Sequence, residues 1–221
     1  MQRPDPTPLP PAHASLPAQS QPSGWDSIVS NSVTSDSVIF VRTVRHQDLQ
    51  TVADVLASSF HSPEGALGWL YPLLRIGIYE DLRSRLYSRT HHYACLVAVL
   101  RETDESLALE KPDRPVGTVE ISIRSRSLNP FLQSRYPYLS NLAVLAESRR
   151  RGVALQLLHT CERVALDWGF QEIYLHVLEN NHQARRLYWK AGYRLKAINI
   201  NPIGFVFGRP RQLLLYKRLT K

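Results

Sequence analysis

The 221-residue sequence predicts a mixed α/β layered domain behind a polar tail, and three observations carry that prediction. Short β-branched and aliphatic runs recur between turn-forming residues, as buried strands do. Longer segments between them return apolar residues every three to four positions, the period of an amphipathic helix. Read in order, the two kinds give strand, two helices, three strands, helix, strand, helix, two strands.

The chain opens with Pro4, Pro6, Pro8, Pro10, Pro11, Pro17 and Pro22 among Ser, Gln and Ala. That composition buries too little apolar surface to offset ordering entropy, so residues 1–36 are expected to form a disordered tail and residues 37–221 the folded domain. The tail has no contiguous apolar core for a secretory signal and, with Arg3 alone, no Arg-rich transit composition; a cytoplasmic location is expected. Val38–Val44 reads as the first strand. Asp48 starts a helix through Leu49, Val52, Val55, Leu56 and Phe60, and a turn is expected at His61–Gly65. After Pro72, Leu74, Ile78, Leu82 and Leu86 recur every four positions between Arg75, Asp81, Arg83 and Arg85, marking a second helix.

Tyr93–Leu100 and Val116–Ile123 read as two antiparallel strands joined by an exposed loop, Arg101–Pro115. Residues Arg124–Pro137 are expected to be irregular because Pro130 and Pro137 interrupt them. The fourth strand runs through Leu139, Leu142, Ala143, Val144 and Leu145. A helix follows with Val153, Leu157, Leu158, Cys161, Val164, Ala165 and Trp168 on one stripe, ended by Gly169. Glu172–Leu178 is a strand, Asn180–Asn181 caps a helix ending near Gly192, and Tyr193–Ile200 and Gln212–Leu219 are the last two strands. The loop Asn201–Arg211 between them is rich in Gly, Pro and aromatics.

The net charge of +8 belongs to the part after the tail and favours an anionic ligand or a nucleic-acid-rich neighbourhood such as the ribosome. No run approaches the ~18 apolar residues of a membrane helix, so no membrane partner is expected. Cys95 and Cys161 have no metal or disulfide spacing and read as reduced core thiols. The chemistry concentrates in Tyr138–Ala154, YLSNLAVLAESRRRGVA. Arg149, Arg150, Arg151, Gly152, Val153 and Ala154 lie between a strand and a helix start, where unpaired N–H groups and the helix dipole attract a phosphate.

The spacing Arg149-x-x-Gly152-x-Ala154 after Asn-Leu-Ala-Val resembles the pyrophosphate-binding loop of the GNAT acetyltransferases. Downstream, Asn181-x-x-Ala184-x-x-Leu187-Tyr188-x-x-x-Gly192-Tyr193 resembles the second signature of that family. The resemblance implies a GNAT fold: a mostly antiparallel mixed sheet of about seven strands, helices on both faces, splayed between its fourth and fifth strands. Acetyl-CoA is the implied co-substrate, with no metal. It would sit in the gap between the strands, with Leu142, Ala143 and Val144 along its amide arm and the backbone amides of Ala143 and Val144 on the thioester carbonyl. Asn181 would contact the pantetheine arm, and Tyr188 would stand beside the sulfur as hydrogen-bond donor or general acid.

Tyr-Leu-His-Val at 174–177, together with Tyr138, is similar to protein N-terminal acetyltransferases of a eukaryotic branch in which a tyrosine and a histidine share the general-base role. Bacterial enzymes acting on ribosomal-protein N-termini carry glutamate where His176 stands. The resemblance thus implies transfer to protein or peptide α-amines, with lysine ε-amines as a secondary acceptor and Tyr138, His176 and Tyr188 as the catalytic set. An α-amine near pKa 8 is about a tenth neutral at pH 7, whereas deprotonating a lysine costs about 3 kcal/mol more. An imidazole titrating near 6.5 suits the easier acceptor.

The segment Pro63–Arg89, with Trp69, Tyr71 and Tyr79, and the loop carrying Phe205 and Phe207 are expected as peptide-binding walls. The second helix is similar to that of GNAT enzymes from cyanobacteria and plastids. Two other readings stand beside the first: a small-amine acetyltransferase for an arylalkylamine or polyamine, and a non-catalytic module holding acetyl-CoA or a nucleic-acid backbone through Arg149–Arg151, Arg185 and Arg186. No sequence-specific nucleic-acid contact is expected.

Overall fold

The computed structural model describes residues 32–34, 37–60, 71–88, 92–102, 113–126, 134–199 and 210–220. Its strands are β1 (Ser32–Thr34), β2 (Ser37–Thr43), β3 (Tyr93–Glu102), β4 (Arg114–Arg126), β5 (Ser134–Val144), β6 (Glu172–Leu178), β7 (Arg194–Asn199) and β8 (Gln212–Arg218). The helices are α1 (Leu49–Phe60), α2 (Tyr71–Tyr87), α3 (Val153–Asp167) and α4 (His182–Lys190). All eight strands join one sheet in the order β1-β2-β3-β4-β5-β6-β8-β7. The seven expected strands are present. The eighth, β1, pairs antiparallel with β2 and falls inside the stretch expected as tail; the remainder of residues 1–36 lies outside the described residues.

Both faces of β3 are buried, which is why its sequence is apolar without alternation. Cys95, Val97 and Val99 meet Leu49, Val52, Val55 and Leu56 of the α1 region and Leu82 of α2 on one face. Leu96 and Ala98 share the other face with Val119, Ile121, Leu139 and the α3 stripe Leu157, Leu158, Cys161 and Ala165. A fully buried aliphatic side chain contributes roughly 1.5–3 kcal/mol, so these two layers are the main stabilising term. Asp48 is buried beneath α1 because it accepts from Arg42 and from the Arg45 backbone N–H at 2.7 Å. Both Gly169 (φ +85°) and Gly192 (φ +92°) end their helices in a left-handed turn, donating to Leu166 O and Trp189 O.

Two proline expectations are corrected. β4 reaches Arg126 and β5 begins at Ser134, so Pro137 lies inside a strand opposite Ile123. Ile123 sends its N–H to His92 O on the β3 side, so the Ile123–Pro137 pair exchanges no bond and the missing proline donor is not needed. Pro115 likewise enters β4 next to the register shift at Ala98/Val99, where the ladder is already interrupted. The expected turn at 61–65, the middle of the 101–115 loop and residues 201–209 lie outside the described residues.

Among the described residues every strand pair is antiparallel except β5–β6. That parallel seam holds only Tyr138↔Tyr174 and Leu139↔Leu175, after which the strands part. On the other side of β5, Asn141 and Leu142 together oppose Val119, a bulge in which Asn141 takes φ +54°. The parting of β5 from β6 is the splay expected between the fourth and fifth strands.

Candidate active site

The mouth of the splay is built by the turn that follows β5. Arg149 is extended, Arg150 has φ +67° and Gly152 has φ +81°, a sequence of conformations that gathers backbone N–H groups at the start of α3. Gly152 is the N-cap and no side chain fills that role, so the first amides of α3 keep their donors. A Cβ on Gly152 would meet nothing within 4 Å: the glycine is required by its φ, not by crowding. Val153 drives its side chain into the core at 2% exposure while Ala154 stays half-buried, which fixes the helix start. Gly117 permits the close approach of β4, since a Cβ there would lie 3.1 Å from Ala143 O and from Val153 Cγ1. Arg149, Arg150 and Arg151 are exposed around this helix start, and Arg149 Nε donates to Val144 O at 3.1 Å. Donors, dipole and charge converge there as a diphosphate requires, so the loop fits the end of acetyl-CoA that carries its phosphates.

Deeper in the splay, Leu142 and Val144 pack toward the α3-side core and Ala143 toward the α1 side. Leu145 N–H donates to Val116 O, which makes Gly117↔Val144 a pair without mutual bonds and turns the Val144 N–H into the gap. The Ala143 N–H, one residue back, points toward β4. Of the two amides expected at a thioester carbonyl, Val144 is therefore the one that faces the gap.

Tyr138 and His176 stand on either side of the seam, with Tyr138 Oη 2.9 Å from His176 Nδ1. Register places both on the α1/α2-side face: Tyr138 pairs with Tyr174, two residues before His176. Asn199 Nδ2 lies 2.9 Å from His176 Nε2, so both ring nitrogens are engaged. Rotating the Asn199 amide by 180° exchanges the imidazole tautomers, and the phenol can then donate to Nδ1. Burial raises the Tyr138 phenol above its ordinary pKa, while Arg124, whose guanidinium carbon lies 3.5 Å from the ring centre, pulls the other way.

Tyr188 lies on the opposite face of the sheet from Tyr138 and His176. It is 9% exposed, belongs to the α3-side core and meets Tyr193 edge-on at 5.9 Å. Burial pushes its phenol up to about 12, with the neighbouring Tyr138 adding to the shift. Asn181 is the N-cap of α4, its Oδ1 accepting from Ala184 N–H at 3.0 Å. Of the expected acceptor walls, Tyr79 packs on the α1-side core; Trp69, Phe205 and Phe207 lie outside the described residues.

Several neighbours of this site went unread in the sequence. Asn199 and Arg124 come from strands whose register alone brings them to His176 and Tyr138. Glu120, 1% exposed, accepts from Asn141 Nδ2 at 2.6 Å and from Arg85 of α2 at 3.0 Å, tying the bulge to the helix layer. Asn141 offered a signal, because asparagine tolerates positive φ better than other side chains. Among the described residues no cluster of His, Cys, Asp and Glu is arranged to hold a metal.

The sequence model of the Acetyltransferase (GNAT) family matches residues 69–193. The chain is 30% identical over 180 residues to GCN5-related N-acetyltransferase 10, chloroplastic, of Arabidopsis thaliana, covering 78% of this chain and 68% of that protein. It spans a smaller share, 30% and 41%, of the relatives numbered 7 and 6. Its fold is similar to that of the PaiA N-acetyltransferase from Thermoplasma acidophilum in complex with coenzyme A (TM-score 0.57, 18% identity, 81% of this chain and 98% of that one). It is also similar to a NatC complex bound to Gag peptide and CoA (TM-score 0.56, 16% identity, 82% and 99%). The expectation of a cytoplasmic location is corrected: the Arabidopsis relatives numbered 4, 5, 6, 7 and 10 are all named chloroplastic. The expectation was drawn from the composition of residues 1–36 alone, and an address read by a receptor need not follow from composition. With that family model matching more than half of its length, the chain belongs to the acetyltransferase (GNAT) family.

Proposed function

We propose that this acetyltransferase transfers acetyl from acetyl-CoA to the N-terminal α-amine of protein or peptide acceptors in a plastid, by direct attack within a ternary complex. The Tyr138–His176 pair, 2.9 Å apart at the seam of the splay, carries the reading. Structures of the same fold include the NatC complex with its peptide and a spermidine N-acetyltransferase, so the fold does not choose the acceptor. Local chemistry favours the α-amine. The Arg124 guanidinium beside Tyr138 opposes a cationic acceptor, and an α-amine sheds its proton about 3 kcal/mol more easily than a lysine.

Acetyl-CoA supplies the activated acetyl thioester. The exposed arginines and the open amides at the start of α3 hold its diphosphate, and the Val144 N–H donates to the carbonyl where negative charge develops. The proton leaving the amine passes to Tyr138 Oη, directly or through a water, as Tyr138 hands its own to His176 Nδ1. Tyr188 keeps its proton at Oη to hydrogen-bond the departing sulfur. Neither thiol competes as a nucleophile: both cysteines are fully buried, and burial raises Cys95 to about 12 and Cys161 well above its ordinary value.

Intact-mass spectrometry after incubation with acetyl-CoA tests the acceptor. Peptides with free N-termini should gain one acetyl group at the α-nitrogen, whereas spermidine and arylalkylamines should remain unmodified. Turnover confined to the free amines would overturn the reading. Independently, Gly152→Val should weaken acetyl-CoA binding about tenfold in calorimetry, because a side chain at that φ costs roughly 1–2 kcal/mol. Unchanged affinity would remove this loop from the site.

A further inference from the structure

The tyrosine of the proposed base is the first of four on one sheet face. Register carries Tyr138 across to Tyr174 on β6 and Tyr216 on β8. Tyr136 meets Tyr174 edge-on at 5.2 Å, and Tyr174 stacks on Tyr216 at 6.1 Å. Cations stand around this strip. Arg124 from β4 lies 3.5 Å above the Tyr138 ring, and Lys196 from β7 lies 4.7 Å above Tyr216. Arg194 pairs across from Tyr216, and Arg218 across from Glu172. The acids of the same face are engaged: Glu172 accepts from Tyr174 Oη at 2.5 Å, and Glu120 is buried with Arg85 and Asn141.

Resting on the α-amine reading above, we propose that this face selects acceptors carrying a carboxylate in their second or third residue. Strands lie about 4.8 Å apart and an extended peptide advances about 3.3 Å per residue, so those residues fall within about 10 Å of an amine at Tyr138 and His176. Both Arg124 and Lys196 are exposed, Arg124 over the Tyr138 ring itself and Lys196 over Tyr216 on β8, the strand next to the one that carries His176. Each now rests on a ring face, a contact of about 0.5–1 kcal/mol at an exposed site. A charge-assisted hydrogen bond to carboxylate is worth about 1.5–3 kcal/mol, enough to draw either cation off its ring and onto the peptide. A peptide with lysine at those positions meets like charge instead.

The test compares peptides with one first residue and Asp, Ala or Lys at positions two and three, in the full-length enzyme. Values of kcat/KM should fall in that order, with about tenfold between Asp and Lys carried mainly by KM. Added salt should shrink the ratio. The Arg124→Gln, Lys196→Gln double variant should bring it within about twofold. Equal and efficient acetylation of all three peptides, or an unchanged ratio in the variant, overturns the proposal while leaving α-amine acetylation standing. Absence of peptide acetylation alongside turnover of free amines would end both.

Discussion

His176→Ala should lower kcat/KM for a peptide acceptor roughly a hundredfold or more at pH 7, with acetyl-CoA affinity unchanged. His176 Nδ1 is 2.9 Å from Tyr138 Oη across the seam, within reach of a proton transfer and away from the arginine-flanked loop. The Tyr138 phenol is held above its ordinary pKa by burial, so as a base it would need a partner that takes its proton. The deficit should narrow as pH rises past about 8, where the α-amine loses its proton unaided. Pre-steady-state acetyl transfer across pH 6–10 measures this directly. A variant within threefold of the parent at pH 7, or one whose deficit stays constant with pH, would remove the imidazole from the proton path.

Tyr188→Phe should lower kcat by about ten- to a hundredfold and leave both KM values nearly unchanged. A phenol at about 12 donating outright to a thiolate whose ordinary pKa is about 8.5 would run roughly 5 kcal/mol uphill. In the proposed mechanism Tyr188 would therefore act as a hydrogen-bond donor rather than by full proton transfer, which bounds the expected loss. The raised value also fixes the sign of a pH effect. The donor form persists at every pH below about 12, so rates should rise through the amine titration and then level off, with no descending limb from this phenol in the working range. Phe retains the ring that meets Tyr193, so circular dichroism and melting should match the parent. A steep loss of rate near pH 9 in the parent would contradict this assignment.

Much of the arrangement was legible because local chemistry and global fold agree. The α3 stripe, the Gly169 and Gly192 stops and the Asn181 cap each follow from side chains a few residues apart, and they appear where the sequence puts them. Tyr138, His176 and Tyr188 were picked out by resemblance to a family; Tyr138 and His176 lie 2.9 Å apart across the seam, and Tyr188 lies in the α3-side core. Asn199, Arg124 and Glu120 were not legible. Their roles depend on which strand becomes whose neighbour and on a bulge that resets the parity of β5, and neither is encoded within a strand's length of sequence. Pro137 misled for a related reason: a proline breaks a ladder only where its missing donor would have been used.

Because β5 and β6 share two residue pairs and then diverge, the sheet is pierced, with the arginine-flanked loop opening on one side and the tyrosine strip on the other. On the function proposed above, the two reactants would use separate doorways. Neither would have to leave before the other entered, and a long acceptor chain would remain outside while only its first residues reached through to the donor.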